Sequence, residues 1–283
     1  MKSVLRRHAG MHRSLHHTEF ATGKELILKA ALYTRLASCG LHMATWLYAA
    51  YAWLLFILAF LTAGTLISLL QTPRLGRRIA RAASNAMYFL GGVPLMVQGL
   101  EDLPPGPHIL LVNHSSFVDG LALSALLPPV PGYAFVVRQQ YASQALFYPL
   151  LKGLGTVVLE RHGDPGAHAT RHPNIEKLVA ALLEGRNLLL FPEGGFRPEP
   201  GLLPFHLGAF IASVRTGIPV TVAVLNGARE AMRPGTWRPR RTRLRLTIGP
   251  TLKPQGIDEN AARVMQERAH DLMQALTERA AKA

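Results

Sequence analysis

From Gly99 onward, short apolar runs alternate with longer stretches in which apolar residues recur at helical spacing. HILLVNH, YAFVVR, GTVVLE, NLLLFPEG and PVTVAVLN are rich in Val and Leu and bounded by Gly, Pro or Asn, which predicts buried strands. Between them the pattern predicts helices over residues 119–127, 142–151, 173–183 and 206–216. RLRLTIG reads as a later strand and residues 260–281 as a closing helix. Strand and helix alternating in this way give an α/β fold, a largely parallel central sheet covered by helices.

The N-terminal third follows another rule. Between Arg35 and Arg74 there is no Lys, Arg, Asp or Glu, and this gap holds LHMATWLYAAYAWLLFILAFLTAGTLISLL. A membrane helix needs about 20 such residues. The run starts too late and is too long for a cleaved signal peptide, whose apolar part is roughly 7–15 residues. A buried core helix is the competing reading, and Thr45, Gly64, Thr65 and Ser68 soften the apolar character. Lys2, Arg6, Arg7, Arg13, Lys24, Lys29 and Arg35 precede the segment, and Arg74, Arg77, Arg78 and Arg81 follow it. Basic residues at both ends place both ends on the cytoplasmic side, which favours a re-entrant or surface-lying hairpin bent at Gly64 over a single span. RLGRRIARAASNAMYFL then reads as an amphipathic helix with its arginines at anionic headgroups. The expected organisation is a basic tail with membrane-associated helices over 1–90 and an α/β domain over 91–283. The Gly- and Pro-rich segment 91–107 marks the boundary.

Charge sharpens the choice of partner. The 283 residues carry 31 Lys and Arg against 17 Asp and Glu, a net +14 that calls for nucleic acid, an anionic membrane or a phosphorylated substrate. The arginines cluster about the apolar segment, and no helix-turn-helix, zinc or aromatic RNA-binding signature occurs, so a membrane surface is expected and nucleic acid is not. The one cysteine, Cys39, excludes an intrachain disulfide. His8, His12 and His16 share a helical spacing but have no acidic or cysteine companion, so no metal is expected.

Three predicted strand ends carry chemistry. HILLVNHSSFVDG delivers His114 into a polar loop at the carboxyl edge of the sheet, where open α/β sheets collect ligands. A neutral imidazole accepts a proton near neutral pH, and Asp119, five positions on, can hold its far nitrogen. Ser115 or Ser116 would cap the next helix and leave Asp119 about one turn in. Taken alone, the pair reads equally as a hydroxyl-rich turn. GTVVLER, however, sets Arg161 beyond a second strand, and NLLLFPEGGFRPEPG sets Glu193, Gly194, Gly195 and Arg197 beyond a third. Arginines grip phosphate bidentately, and paired glycines let backbone amides approach an anion.

With these blocks in place, the chain resembles the glycerophospholipid acyltransferases of the lysophosphatidic acid acyltransferase group. NHSSFVD is similar to that family's first motif, GTVVLER to its second, FPEG to its third and GIPVTVAV to its fourth, in the same order. The resemblance implies that His114 is the general base for the acceptor hydroxyl, with Asp119 as its partner. It also implies that Arg161, Glu193 and Gly194, joined here by Gly195 and Arg197, serve the acceptor's phosphate end. Since a carboxylate cannot bind phosphate, Glu193 is expected to orient an arginine or accept from a hydroxyl. The implied reaction moves a fatty acyl group from acyl-CoA or acyl carrier protein, as co-substrate with no resident cofactor, to a lysophospholipid. Lysophosphatidic acid yielding phosphatidic acid is the leading case, at a membrane with the site facing the cytoplasm. The third motif departs from the usual form: Gly195 and Phe196 intervene before Arg197, and PFHLGA lacks the usual basic residues. That departure keeps open a lyso-aminolipid or glycolipid acceptor. A serine hydrolase lacks the G-x-S-x-G elbow, and a membrane-anchored nucleic-acid binder is the remote alternative.

Overall fold

The computed structural model describes residues 40, 42–160 and 173–282; the early histidines and Arg161 lie outside them. The chain divides after Ala50, and Tyr51–Ala283 form the compact unit that carries the sheet.

The apolar segment is one helix, α1 (His42–Leu70), long and apolar enough to cross a membrane. It does not bend into a hairpin at Gly64. That residue keeps right-handed helical angles at the end of a single π-helical turn, Phe60–Gly64. Threonine hydroxyls are absorbed into the helix: Thr62 donates to the Leu58 carbonyl at 2.7 Å and Thr65 to that of Leu61 at 2.5 Å. α1 stops where Gln71 turns left-handed, and Pro73 opens α2 (Pro73–Leu90), with its preset φ at the first helical position.

The strands and helices of the α/β unit follow in turn. They are β1 (Leu95–Gln98), β2 (Ile109–Val112), α3 (Asp119–Leu126), β3 (Tyr133–Arg138), α4 (Gln139–Ala142), α5 (Tyr148–Leu154), β4 (Val157–Leu159), α6 (Pro173–Leu183), β5 (Asn187–Leu190), α7 (Gly208–Thr216), β6 (Val220–Asn226), α8 (Ala228–Ala231), β7 (Leu244–Leu252) and α9 (Glu259–Lys282). The sheet order is β1-β7-β6-β2-β5-β3-β4. Every pairing is parallel except β6 with β7. The largely parallel, helix-covered sheet is therefore as expected. Two details differ. LMVQ, read as part of a boundary segment, is strand β1, held by parallel pairing to β7. The single helix expected over 142–151 is two short ones, because Pro149 starts a new helix at Tyr148.

The central strands are buried on both faces. Ile109 and Leu111 face one core with Leu188, Leu190, Val222 and Phe210; Leu110 and Val112 face the other with Leu189, Ala223 and Leu246. That is why these strands read as continuous rather than alternating apolar runs.

α1 is bolted to this unit through backbone contact. A methyl group on Gly153 of α5 would collide with the Ile67 carbonyl of α1, and one on Gly76 of α2 with the Gly153 carbonyl. Only hydrogen fits between the three helices at this point. Gly153→Ala is therefore expected to cost about 1–3 kcal/mol of stability, read as a lowered Tm in thermal unfolding. Gly120→Ala in α3, where an added methyl meets nothing, is the neutral or slightly stabilising control.

Candidate active site

Parallel register assembles the site. Leu111 pairs with Leu190, so three residues further along both chains His114 stands across from Glu193. The strand end is held sideways as well: the Asn113 side chain donates to the Leu225 carbonyl at 3.2 Å and accepts the Leu225 N–H at 2.7 Å, acting as one more rung of the ladder to β6.

His114 Nδ1 lies 2.8 Å from Asp119 Oδ2. The same oxygen accepts the backbone N–H of Ser115 at 2.7 Å and of Ser116 at 3.0 Å. Asp119 is fully buried and is the first residue of α3, not a turn inside it. Neither serine hydroxyl caps that helix. Ser116 Oγ instead donates to the Met232 carbonyl at 2.7 Å, and the carboxylate binds amides of the loop ahead of the helix. An ionised carboxylate only accepts, so Nδ1 carries the ring proton and Nε2 keeps its lone pair. The imidazole is clamped by rings: Phe191 stacks on it at 4.1 Å and 14°, and Phe196 meets it edge-on at 4.5 Å and 70°.

Glu193 does something other than orient an arginine or take a hydroxyl. Its Oε1 accepts the His114 backbone N–H at 2.7 Å and its Oε2 the Leu203 N–H at 2.8 Å. Both oxygens thus pin backbone, one at His114 and one in the returning loop. The side chain is buried, and burial pushes its carboxyl above the usual range against the pull of those two amides and of His114.

Gly194 has φ +67°, a left-handed angle that suits glycine. A Cβ there would stand 2.6 Å from His206 Nε2 and 2.9 Å from Arg138 Nη2, so an imidazole and a guanidinium converge on this loop. Neither was singled out in the sequence. Arg138 was legible in principle, since it closes YAFVVR as Arg161 closes GTVVLER. Gly195 leaves open space where a side chain would stand. Arg197 is exposed, with its carbonyl accepting from Arg229 at 3.2 Å. The structure therefore brings together His114, Asp119, Glu193 and Gly194, leaves Arg197 outside that cluster, and does not describe Arg161. The basic segment 238–243 forms a loop, and the strand that follows, β7, lies between β1 and β6.

This arrangement holds an imidazole by Nδ1, with no hydrogen-bond partner at Nε2 among the described residues, between two apolar rings and beside a loop on which Arg138 and His206 converge. Residues 94–225, a little under half of the chain, match the family profile described as Acyltransferase. Among its relatives is the 1-acyl-sn-glycerol-3-phosphate acyltransferase of Limnanthes alba, 28% identical over 168 residues, or 59% of this chain and 57% of that one. The enzyme of that name from Saccharomyces cerevisiae is 27% identical over 157 residues, 55% of this chain and 50% of that one. Lysophosphatidylcholine acyltransferase 2 of Mus musculus is 32% identical over 155 residues, 53% of this chain and 27% of that one. The chain thus matches little more than half the length of the plant relative. In fold it is similar to the crystal structure of the 1-acyl-sn-glycerophosphate acyltransferase PlsC from Thermotoga maritima. The TM-score is 0.66 at 17% identity, covering 83% of this chain and 96% of that one.

Glu193→Gln keeps one acceptor and turns an amide N–H₂ toward the other backbone N–H. Leaving a buried donor unsatisfied costs about 1–3 kcal/mol, so the variant is expected to have a lower Tm at neutral pH. A raised folded-state pKa means that folding takes up a proton. The wild-type contribution is thus full below the unfolded carboxyl value and lost as pH rises through the folded one. The stability gap to Glu193→Gln should therefore widen on acidification, as thermal unfolding across pH 4–7 would record.

Proposed function

We propose that this chain is an O-acyltransferase that moves a fatty acyl group from an acyl thioester to the free hydroxyl of a lysophospholipid, lysophosphatidic acid yielding phosphatidic acid. The observation that carries the reading is the His114–Asp119 pair, with Nδ1 occupied and Nε2 free. His114 Nε2 removes the hydroxyl proton as the oxygen attacks the thioester carbonyl carbon. The tetrahedral oxyanion collapses, the C–S bond breaks, and the proton held on Nε2 passes to the leaving thiolate. No acyl-enzyme is required. Asp119 holds the ring and stabilises the imidazolium between these steps, and such base catalysis contributes about 10²–10⁴ in rate. Arg138, His206 and the amides at Gly194 and Gly195 are the nearest seat for the acceptor's phosphate, with Arg161 following two residues after β4. The thioester, as acyl-CoA or acyl carrier protein, is a co-substrate, and no step needs a resident cofactor.

Membrane association follows from α1. Trp53 and Phe60 pack on the α/β unit, while Leu54, Ile57, Leu58 and Leu61 on the other side are 47–58% exposed. A helix docked along one side and bare along the other suits one leaflet of a bilayer better than a free span. The flanking arginines suit its cytoplasmic surface. One observation favours a second acceptor: Phe196, an apolar ring, stands beside the base where the family's third motif ordinarily brings an arginine near. A lyso-aminolipid or glycolipid is the corresponding alternative.

The test is purified protein in vesicles with lysophosphatidic acid and long-chain acyl-CoA, wild type beside His114→Ala, following free thiol and phosphatidic acid together. Both products in equal amount, and a loss of at least about 10²-fold in the variant, are expected. Thiol without lipid product rejects this acceptor and sends the search to the neutral lysolipids. Equal activity in His114→Ala removes the base.

A further inference from the structure

A row of rings leads away from the base, and the chemistry above does not use it. Phe196, edge-on to His114, meets Phe117 edge-on at 4.8 Å. Phe117 stacks on Trp237 at 6.2 Å and 10°. Trp237 lies 5.8 Å from Trp53 of α1, whose indole N–H donates to the Trp237 carbonyl at 2.9 Å. The loop bearing Trp237 is held in place: Arg240 N–H bonds the Ala231 carbonyl at 2.8 Å and Arg241 Nε the Gly92 carbonyl at 3.2 Å. Yet Phe117 is 57% and Trp237 71% exposed. Rings of this kind bury about 150–250 Å² each when covered. Two adjoining bare rings, continuous with the half-buried Phe196 and Trp53, mark a surface that something apolar covers.

We propose that this four-ring ladder is the seat for the hydrocarbon chain of the lipid acceptor, leading it from the apolar surface of α1 to His114. The inference rests on the acyl-transfer reading and deepens it. Two features choose the acceptor's chain as the occupant. The ladder begins on the helix whose bare leucines face an apolar phase, which is where a lysolipid chain resides, whereas a soluble thioester arrives from water. The two ends of the site also differ in character. Arg138 and His206 converge on Gly194, whereas the contacts from Phe196 to Phe117 are between uncharged rings. An acceptor with its headgroup at the first and its chain along the second presents its hydroxyl to Nε2 between them.

Two measurements test this, and the first needs no turnover. Trp46→Phe with Trp53→Phe leaves Trp237 as the only tryptophan of the three, in the full chain reconstituted in phosphatidylcholine vesicles. Lysophosphatidic acid with a doxyl group on its chain should quench Trp237 saturably. The quenching should exceed that from the same mole fraction of doxyl-labelled diacyl phosphatidylcholine and be reversed by unlabelled lysolipid. Equal quenching by the two lipids, or saturable quenching only by a doxyl-labelled acyl-CoA, overturns the assignment. The second is kinetic. Phe117→Ala and Trp237→Ala should each lower the ratio of kcat/KM for a long-chain acceptor to that for a four-carbon one by about tenfold. KM for the thioester should stay in place, and Phe117→Leu should restore most of the preference. A fall independent of acceptor chain length, or a shift in thioester KM, rejects the ladder as the acceptor's seat. If no acceptor is acylated at all, the proposed activity fails while the quenching experiment still decides what lies on Trp237.

Discussion

One carboxylate oxygen organises the site. Asp119 Oδ2 accepts hydrogen bonds from the His114 ring N–H and from two backbone amides of the loop between β2 and α3. A buried carboxylate needs donors, and here all of them, the imidazole and the turn that carries it, converge on Oδ2, while the buried Oδ1 has no partner among the described residues. The ring therefore cannot tilt away without stripping the carboxylate of a partner. The geometry of Nε2 is fixed by the cost of leaving Asp119 unsatisfied.

Glu193 performs the second fixation by a different route. Its oxygens take backbone N–H groups from His114 and Leu203, so the loop after β5 is fastened to the strand end beside it. Phe191 and Phe196, either side of Glu193 in the chain, press on the imidazole from two directions. One loop thus supplies both the polar tie and the apolar clamp. The glycines after Glu193 leave the loop open to charged groups arriving from β3 and from the segment before α7.

Much of this was legible in the sequence, and what was not has identifiable reasons. The buried strands announced themselves because a parallel sheet covered on both faces needs uninterrupted Val and Leu. His114 and Asp119 were readable because their partnership is local, five residues apart. The bonds of Glu193 were not, since its partner His114 is 79 positions away and meets it only through strand register. Arg138 and His206 stayed hidden for the same reason, being brought to Gly194 by the sheet rather than by spacing. β1 was missed because four residues among glycines and prolines carry too little pattern. Gly64 was read as a bend because flexibility was weighed without the threonine hydroxyls that return their bonds to the helix.

The contact of Gly153 with Ile67 and of Gly76 with Gly153 has a geometric consequence. A helix joined by a tether would let the α/β unit drift above whatever apolar phase receives α1. Three backbones in direct touch remove that freedom, so the depth at which α1 settles also fixes the height of His114. Reach is then built into the body of the protein, and under the proposed reaction an acceptor's hydroxyl has to come to the level that α1 sets for His114.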